Sequence, residues 1–219
     1  MTFDSGLLES DRARIESSDF AIVPITDLGP AESVEWLWPG YVARRAITLL
    51  TAVWKGGKTT LLAHLLHDLY AGGGLVEEPI AAPTLIVSEE HPSLWATRRD
   101  ELDLGETVLL LQRTRFDRLD ALGWRAMTDT ITAAVTERGV GLVVFDTLPA
   151  AWHVTNENDA AEMLEALAPL RAITEAGAGL LLIAHPRKSE ATEMKGTRGS
   201  GALPGFVDII VEMKRHRPD

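Results

Sequence analysis

Residues 47–60 read Ile-Thr-Leu-Leu-Thr-Ala-Val-Trp-Lys-Gly-Gly-Lys-Thr-Thr. The apolar run Ile47–Val53 predicts a buried strand, and the periodicity of the residues after the glycines predicts a helix over 58–71. The strand therefore passes through a short glycine-containing loop directly into a helix. This order is the first indication of both the fold and the kind of ligand.

The loop between that strand and helix has the form [Ala/Gly]-x-x-x-x-Gly-Lys-[Ser/Thr]. Glycines let successive backbone N–H groups turn toward phosphate oxygens, and a helix N-terminus adds partial positive charge. In this pattern Lys58 reaches the β- and γ-phosphates, and the Thr59 hydroxyl binds Mg²⁺. The candidate nucleotide-binding residues are Ala52, Val53, Trp54, Lys55, Gly56, Gly57, Lys58, Thr59 and Thr60. Ala52 replaces the usual glycine, which requires a negative φ there; the alternative is a glycine turn that only joins strand to helix.

Short apolar runs alternate with longer amphipathic stretches along the rest of the chain. Strands are predicted at Ile47–Val53, Thr84–Ser88, Val108–Leu111, Leu142–Phe145, Leu180–Ala184 and Val207–Val211, and helices at 58–71, 93–102, 119–138 and 158–176. Continuous apolar strands are typical of a sheet buried on both faces. The pattern predicts an α/β fold, a mostly parallel central sheet flanked by helices. Ligands bind such sheets at the carboxyl ends of the strands.

The composition excludes several classes of protein. The 219 residues include 21 basic and 32 acidic side chains, a net charge of −11, and no cysteine. Without cysteine there is no disulfide, thiolate zinc site or cysteine nucleophile. Binding to nucleic-acid phosphates needs a basic surface, so any DNA contact is expected to be local or shared among subunits. No apolar run approaches the roughly 18 residues of a membrane span, which predicts a cytoplasmic protein that binds no membrane.

Acidic residues follow two of the predicted strands. Asp146 directly follows Leu142–Phe145, the arrangement that places a carboxylate beside Mg²⁺; the alternative is an Asp-initiated turn. Glu89 and Glu90 follow Thr84–Ser88, the first predicted strand after the phosphate-loop helix. ATP hydrolysis needs a carboxylate that orients the attacking water. Because Thr147 and not a glutamate follows Asp146, either member of the glutamate pair is a candidate, unless the pair is only a solvated turn.

A third strand end carries a histidine followed by a basic loop. His185 follows Leu180–Ala184, where a polar side chain can sense the γ-phosphate and transmit its state to the next loop. The basic residues of that loop are Arg187, Lys188, Lys195 and Arg198. The competing interpretation is a structural histidine beside a solvated loop.

Together these segments resemble the RecA-like P-loop ATPases of the hexameric replicative helicase branch, in particular the RepA-like AAA family ATPases of plasmid and phage replication. The resemblance is carried by Trp36-Leu37-Trp38-Pro39-Gly40-Tyr41, Lys55-Gly56-Gly57-Lys58, Ser88-Glu89-Glu90-His91-Pro92, Ile183–Lys188 and Arg198–Leu203. It implies a RecA-like ATPase domain over 35–213 with a C-terminal β-hairpin. The sequence predicts that a partly disordered N-terminal arm over 1–34 and a basic tail over 214–219 flank that domain.

The resemblance also implies a mechanism and partners. ATP and Mg²⁺ are the implied cofactors, in a homo-oligomer (a hexamer or a filament) that binds ATP between subunits. Arg187, Lys188 or Arg198 would act on the neighbouring subunit's ATP, and matching the position of Pro92 favours Glu90 over Glu89 as the catalytic residue. The implied function is ATP hydrolysis coupled to DNA, with single-stranded DNA as a partner and helicase activity as one form of it.

Two other functions compete with this interpretation. One is a nucleotide-gated switch or assembly ATPase that acts on a protein partner without DNA motor activity. The other is a small-molecule P-loop kinase, which the sequence disfavours because no arginine-rich lid segment follows the middle of the chain.

Overall fold

A computed structural model describes residues 22–31, 33–53, 55–80, 82–112, 119–185 and 201–214. The chain divides into two units, residues 1–33 and 34–219. The first unit contains an exposed turn of 3₁₀-helix at Ile25–Asp27. The second unit contains every other element described below.

The second unit is built around a parallel sheet. An antiparallel hairpin, β1 (Trp36–Trp38) and β2 (Val42–Ala43), precedes it in the chain. The sheet strands are β3 (Ile47–Ala52), β4 (Thr84–Ser88), β5 (Val108–Leu110), β6 (Leu142–Asp146), β7 (Gly179–Ala184) and β8 (Ile209–Met213). They lie in the order β5-β4-β6-β7-β3-β8, and every neighbouring pair is parallel. The predicted α/β fold with a parallel central sheet is confirmed.

Helices cover both faces of this sheet. They are α1 (Lys58–Ala71), α2 (Pro92–Leu102), α3 (Ala121–Arg138), α4 (Leu148–Ala151), α5 (Ala160–Leu167), α6 (Leu170–Glu175) and α7 (Ala202–Phe206). Adjacent strand residues point to opposite faces, so Leu49 packs in the core with α3, α5 and α6, and Leu50 packs in the core with α1 and α2. Burial on both faces explains why the strands are continuously apolar.

The predicted helix over 158–176 is two helices in the structure. Asp159 caps α5, accepting hydrogen bonds from the N–H groups of Ala161 and Glu162. Pro169 then precedes α6. Because proline has no N–H to donate to the preceding turn, the helix is interrupted there. The amphipathic pattern continues across the break, which is why the sequence predicts one helix.

The C-terminal strand joins the sheet rather than a hairpin of the described chain. β8 pairs in parallel with β3, and Asp208 fixes this edge by accepting a 2.8 Å hydrogen bond from the Ile47 N–H. The antiparallel hairpin that the structure describes is β1–β2, at the other end of the unit. Residues 186–200, which include part of the predicted C-terminal hairpin, lie outside the described residues. Within the described chain, no helix combines the length and apolarity required to span a bilayer.

Candidate active site

The strand order places four strand ends side by side. β4, β6, β7 and β3 are consecutive in the sheet, so the residues that follow them meet at one edge. Ser88 aligns with Asp146, which aligns with Ile183 of β7. The predicted glutamates, aspartate, histidine and glycine loop therefore share one site, although more than half the chain length separates the glycine loop from the histidine.

The loop after β3 has the backbone that its glycines predict. Gly57 has φ +87°, the left-handed region that favours glycine. A Cβ atom on Gly56 would lie 2.8 Å from the Val53 carbonyl oxygen, too close for any side chain. Ala52, in contrast, ends β3 in extended backbone, which accommodates its methyl group and explains the departure from glycine. Lys55 has φ +54° despite its side chain.

The helix after this loop begins with open N–H groups. Gly57 is its N-cap, and among the described residues no side chain caps it. The first N–H groups of a helix lack partners within the helix and favour a bound anion. The start of α1 is thus suited to a phosphate group.

Lys58 lies at the centre of the site. Its side chain is buried, and Nζ donates hydrogen bonds to the carbonyl oxygens of Ala52 (3.1 Å) and Val53 (3.2 Å). Nζ also lies 3.0 Å from Nδ1 of His185, which brings the predicted sensor to the predicted phosphate-binding lysine. Burial lowers the pKa of Lys58, while the charges of Asp146 and Glu89 oppose this shift.

Asp146 is a buried carboxylate with an unmatched oxygen. It is only 3% exposed, and burial raises its pKa to about 6. A hydrogen bond with the Thr59 side chain opposes this rise, and the charges of Glu90 and Glu89 add to it. Its Oδ2 atom is buried and makes no hydrogen bond within the described chain. An unmatched carboxylate oxygen beside a threonine hydroxyl is a donor set that suits Mg²⁺.

The two glutamates after β4 have different surroundings. The Thr147 hydroxyl lies 3.5 Å from a Glu89 carboxylate oxygen. Desolvation raises the pKa of Glu89, and the negative charge of Glu90 raises it further. The hydrogen bond with Thr147 and the positive charge of Lys58 lower this pKa. Glu90 instead forms an ion pair through both carboxylate oxygens with Arg98 of α2, at 3.1 Å from Nη2 to Oε1. The charges of both glutamates raise the pKa of Asp146, so both residues belong to the site.

The structure thus brings together most of the predicted site residues. The residues in contact or in electrostatic interaction are Lys58, Thr59, Glu89, Glu90, Asp146 and His185. Trp54, Arg187, Lys188, Lys195 and Arg198 lie outside the described residues. Sequence reasoning missed Arg98 and the contact of Thr147 with Glu89. Arg98 lies eight residues after Glu90, across a helix start, a spacing that no helical or strand period predicts.

An acidic loop leaves the same edge of the sheet. It follows α4 and lines a cavity of about 580 Å³ together with Pro149 and Trp152. Glu162 holds the loop by accepting hydrogen bonds from the Thr155 and Asn156 backbone. Residues 152–159 include no lysine or arginine, and His153 is the basic side chain of this loop.

Comparison with known proteins agrees with this geometry. A family model described as an AAA domain matches residues 10–191. A crystal structure of the RadB recombinase is similar in fold, with a TM-score of 0.52, 18% identity, and coverage of 78% of this chain and 75% of that chain. No curated protein sequence matches the chain. The chain therefore belongs to this AAA-domain family and has the fold of a RecA-like P-loop ATPase.

Proposed function

We propose that the protein binds ATP at the loop after β3 and hydrolyses it at the shared strand edge. The observation that supports this most strongly is the arrangement of Lys58 and Asp146. A buried ammonium held by strand-end carbonyl groups faces a buried carboxylate with an unmatched oxygen. A triphosphate with its cation satisfies both groups at once.

The chain's own groups have distinct roles in this proposal. The N–H groups at the start of α1 bind phosphate oxygens, and Lys58 exchanges its carbonyl partners for the β- and γ-phosphates. Thr59 and Asp146 hold Mg²⁺. When bound, the ion neutralises charge that develops on the phosphates. His185, in contact with Lys58, senses whether the γ-phosphate is present.

Glu90 is the proposed water-orienting carboxylate, with Glu89 as the alternative. A carboxylate has about four acceptor sites, so the two hydrogen bonds from Arg98 leave two for water. The charge of Glu90 also raises the pKa of Asp146, as expected of a group close to the proposed metal ligands. Glu89 is supported by its interactions with Thr147 and Lys58.

We further propose that the active form is a homo-oligomer, a hexamer or a filament, in the cytoplasm. Arg187 or Arg198 of one subunit would complete the ATP site of the next, and such a cation raises the rate by about 10³- to 10⁵-fold in other phosphoryl-transfer enzymes. Single-stranded DNA is the proposed partner, bound by the basic loop through Lys195. More specifically, we propose helicase activity and membership of the hexameric helicase branch.

One observation favours a second function, a nucleotide-gated switch that acts on a protein partner. The loop 152–159 leaves the active edge, contains Glu157 and Asp159, and has no lysine or arginine. The whole chain carries a net charge of −11. An acidic surface beside the nucleotide repels a DNA backbone and attracts a basic protein surface.

Phosphate release by the full chain, with and without single-stranded DNA, tests these proposals together with the mass in solution. ATPase activity that DNA stimulates, and a mass that increases with ATP, support the DNA-coupled oligomer. Slow turnover that DNA does not change supports the switch. Absence of both ATP binding and turnover overturns the ATPase proposal itself.

A further inference from the structure

Arg98 connects α2 to the acidic half of the active site. Its guanidinium carbon lies 4.8 Å from the ring centroid of Trp95, which is only 6% exposed. The same guanidinium binds both carboxylate oxygens of Glu90. A rigid, buried ring on the same helix thus fixes the cation, and the planar cation fixes the carboxylate.

The pair is partly shielded from water, which distinguishes it from the surface ion pairs of the chain. The side chain of Arg98 is 22% exposed and that of Glu90 is 27% exposed. The adjacent Arg99 pairs with Asp100 at 62% and 68% exposure. Exposed pairs contribute little to stability or position, whereas a bidentate pair on an aromatic platform constrains a carboxylate.

Glu90 needs such a constraint because it lies among like charges. Glu89 and Asp146 both interact with it, and Glu90 raises the pKa of each. Repulsion among three carboxylates favours rotation of the most mobile one into solvent. The backbone of Glu90 is already held, because the Glu90 N–H donates a hydrogen bond to the Ser88 hydroxyl (3.1 Å). The side chain is held by Arg98.

We propose that Arg98 is a positioning residue for ATP hydrolysis, holding the Glu90 carboxylate where it can orient the attacking water. This inference rests on the proposed function. The guanidinium occupies the two acceptor sites that face α2 and leaves the others for water. The pair therefore fixes Glu90 without removing it from the reaction.

Steady-state ATPase measurements on the full chain test this with Arg98→Ala, Arg98→Lys and the neighbour Arg99→Ala as matched control. Arg98→Ala should lower kcat by about 10- to 100-fold, the range found when a hydrogen-bond partner that orients a metal ligand is removed. KM and ATP binding should stay near those of the parent. Arg98→Lys should restore part of kcat, since lysine keeps the charge but not the planar fork. Arg99→Ala should match the parent.

A double-mutant cycle distinguishes positioning from a general loss of structure. In the Glu90→Gln background, Arg98→Ala should lower kcat by less than about twofold, because the group that it positions is already inactive. In the Glu89→Gln background it should keep its full effect. Equal losses in both backgrounds, or a kcat of Arg98→Ala equal to that of the parent, overturn the inference. Failure of the proposed function looks different, because the parent itself then shows no turnover.

Discussion

The two halves of the active site differ in what holds them. On the β3 side, the phosphate loop is shaped by backbone geometry, and its one buried cation is satisfied by main-chain carbonyl groups. On the β4 and β6 side, three carboxylates lie close together, and the pKa values of Glu89 and Asp146 are raised. Without a ligand, the buried cation of the β3 side has hydrogen-bond partners, whereas the Oδ2 atom of Asp146 on the acidic side has none within the described residues.

This difference indicates how binding and turnover are divided. A preorganised loop of N–H groups binds phosphate without large rearrangement, so the β3 side should dominate affinity. Clustered, partly desolvated carboxylates are costly until a cation arrives, so the acidic side should dominate the dependence on magnesium and the chemical step. The variants below test this division.

Lys58→Ala should have the largest effect because it removes the buried cation of the β3 side. We expect no measurable hydrolysis and ATP binding weaker by about 10- to 100-fold, the range for a lost hydrogen bond to a charged group. Fluorescent-nucleotide titration and phosphate release measure the two effects. Lys214→Ala, which removes an exposed lysine paired with Glu212, is the control. Normal turnover of Lys58→Ala would contradict the nucleotide-site assignment.

Glu90→Gln should separate the two halves, because it changes the acidic side alone. Loss of a carboxylate that orients water lowers the rate by about 10²- to 10⁴-fold, while ATP binding should stay close to that of the parent. Single-turnover kinetics measure the chemical step. Glu89→Gln is the matched comparison, since it makes the same change, carboxylate to amide, at the adjacent residue. If Glu89→Gln is the inactive variant, the carboxylate that contacts Thr147 is the catalytic one.

Asp146→Asn should abolish magnesium-dependent turnover but stabilise the nucleotide-free protein. The carboxyl pKa is near 3.9 in an unfolded chain and about 6 in the fold. The folded state therefore retains a proton that the unfolded state has released, and stability falls as pH rises from about 4 to about 6. Above that window, the charge costs on the order of 3 kcal/mol, which the amide avoids.

Thermal unfolding at two pH values checks the sign of this effect. Without nucleotide, Asp146→Asn should melt above the parent at pH 7.5 and close to it near pH 4. Adding Mg²⁺ and ATP should stabilise the parent more than the variant, because the variant lacks the Asp146 carboxylate proposed to hold the ion. Asp129→Asn, which changes an exposed aspartate of α3, should show neither difference. Destabilisation by Asp146→Asn at pH 7.5 would contradict this account.

The sequence predicts the β3 side well and the acidic side in part. Loop geometry depends on glycine positions and chain order, so Gly56, Gly57 and Lys58 could be located from spacing alone. The shared edge could also be predicted, because parallel strands end together. The partner of each glutamate could not be predicted, since the Glu90–Arg98 contact depends on how α2 packs beside the end of β4. The break at Pro169 was hidden by an amphipathic pattern that runs through it.

The smallest effect concerns how the phosphate loop is held. Lys55 has φ +54°, a region that costs a residue with a side chain about 1 kcal/mol. Lys55→Gly should relieve this strain and raise Tm by about 2–4 °C for a chain of this size. It should also weaken ATP binding by less than about tenfold, because one lysine of the loop is lost while Lys58 remains. Stability and affinity would then change in opposite directions.

Asp103→Gly is the control that separates backbone strain from nucleotide binding. Asp103 ends α2 with φ +47°, so glycine should relieve a similar strain there and leave ATP affinity unchanged. A gain in Tm for both variants, with an affinity loss for Lys55→Gly alone, supports a loop that keeps a strained lysine for its charge. If Lys55→Gly lowers Tm instead, the lysine side chain stabilises the loop. The β3 side would then depend on side chains as the acidic side does, and the proposed difference between the two halves would fail.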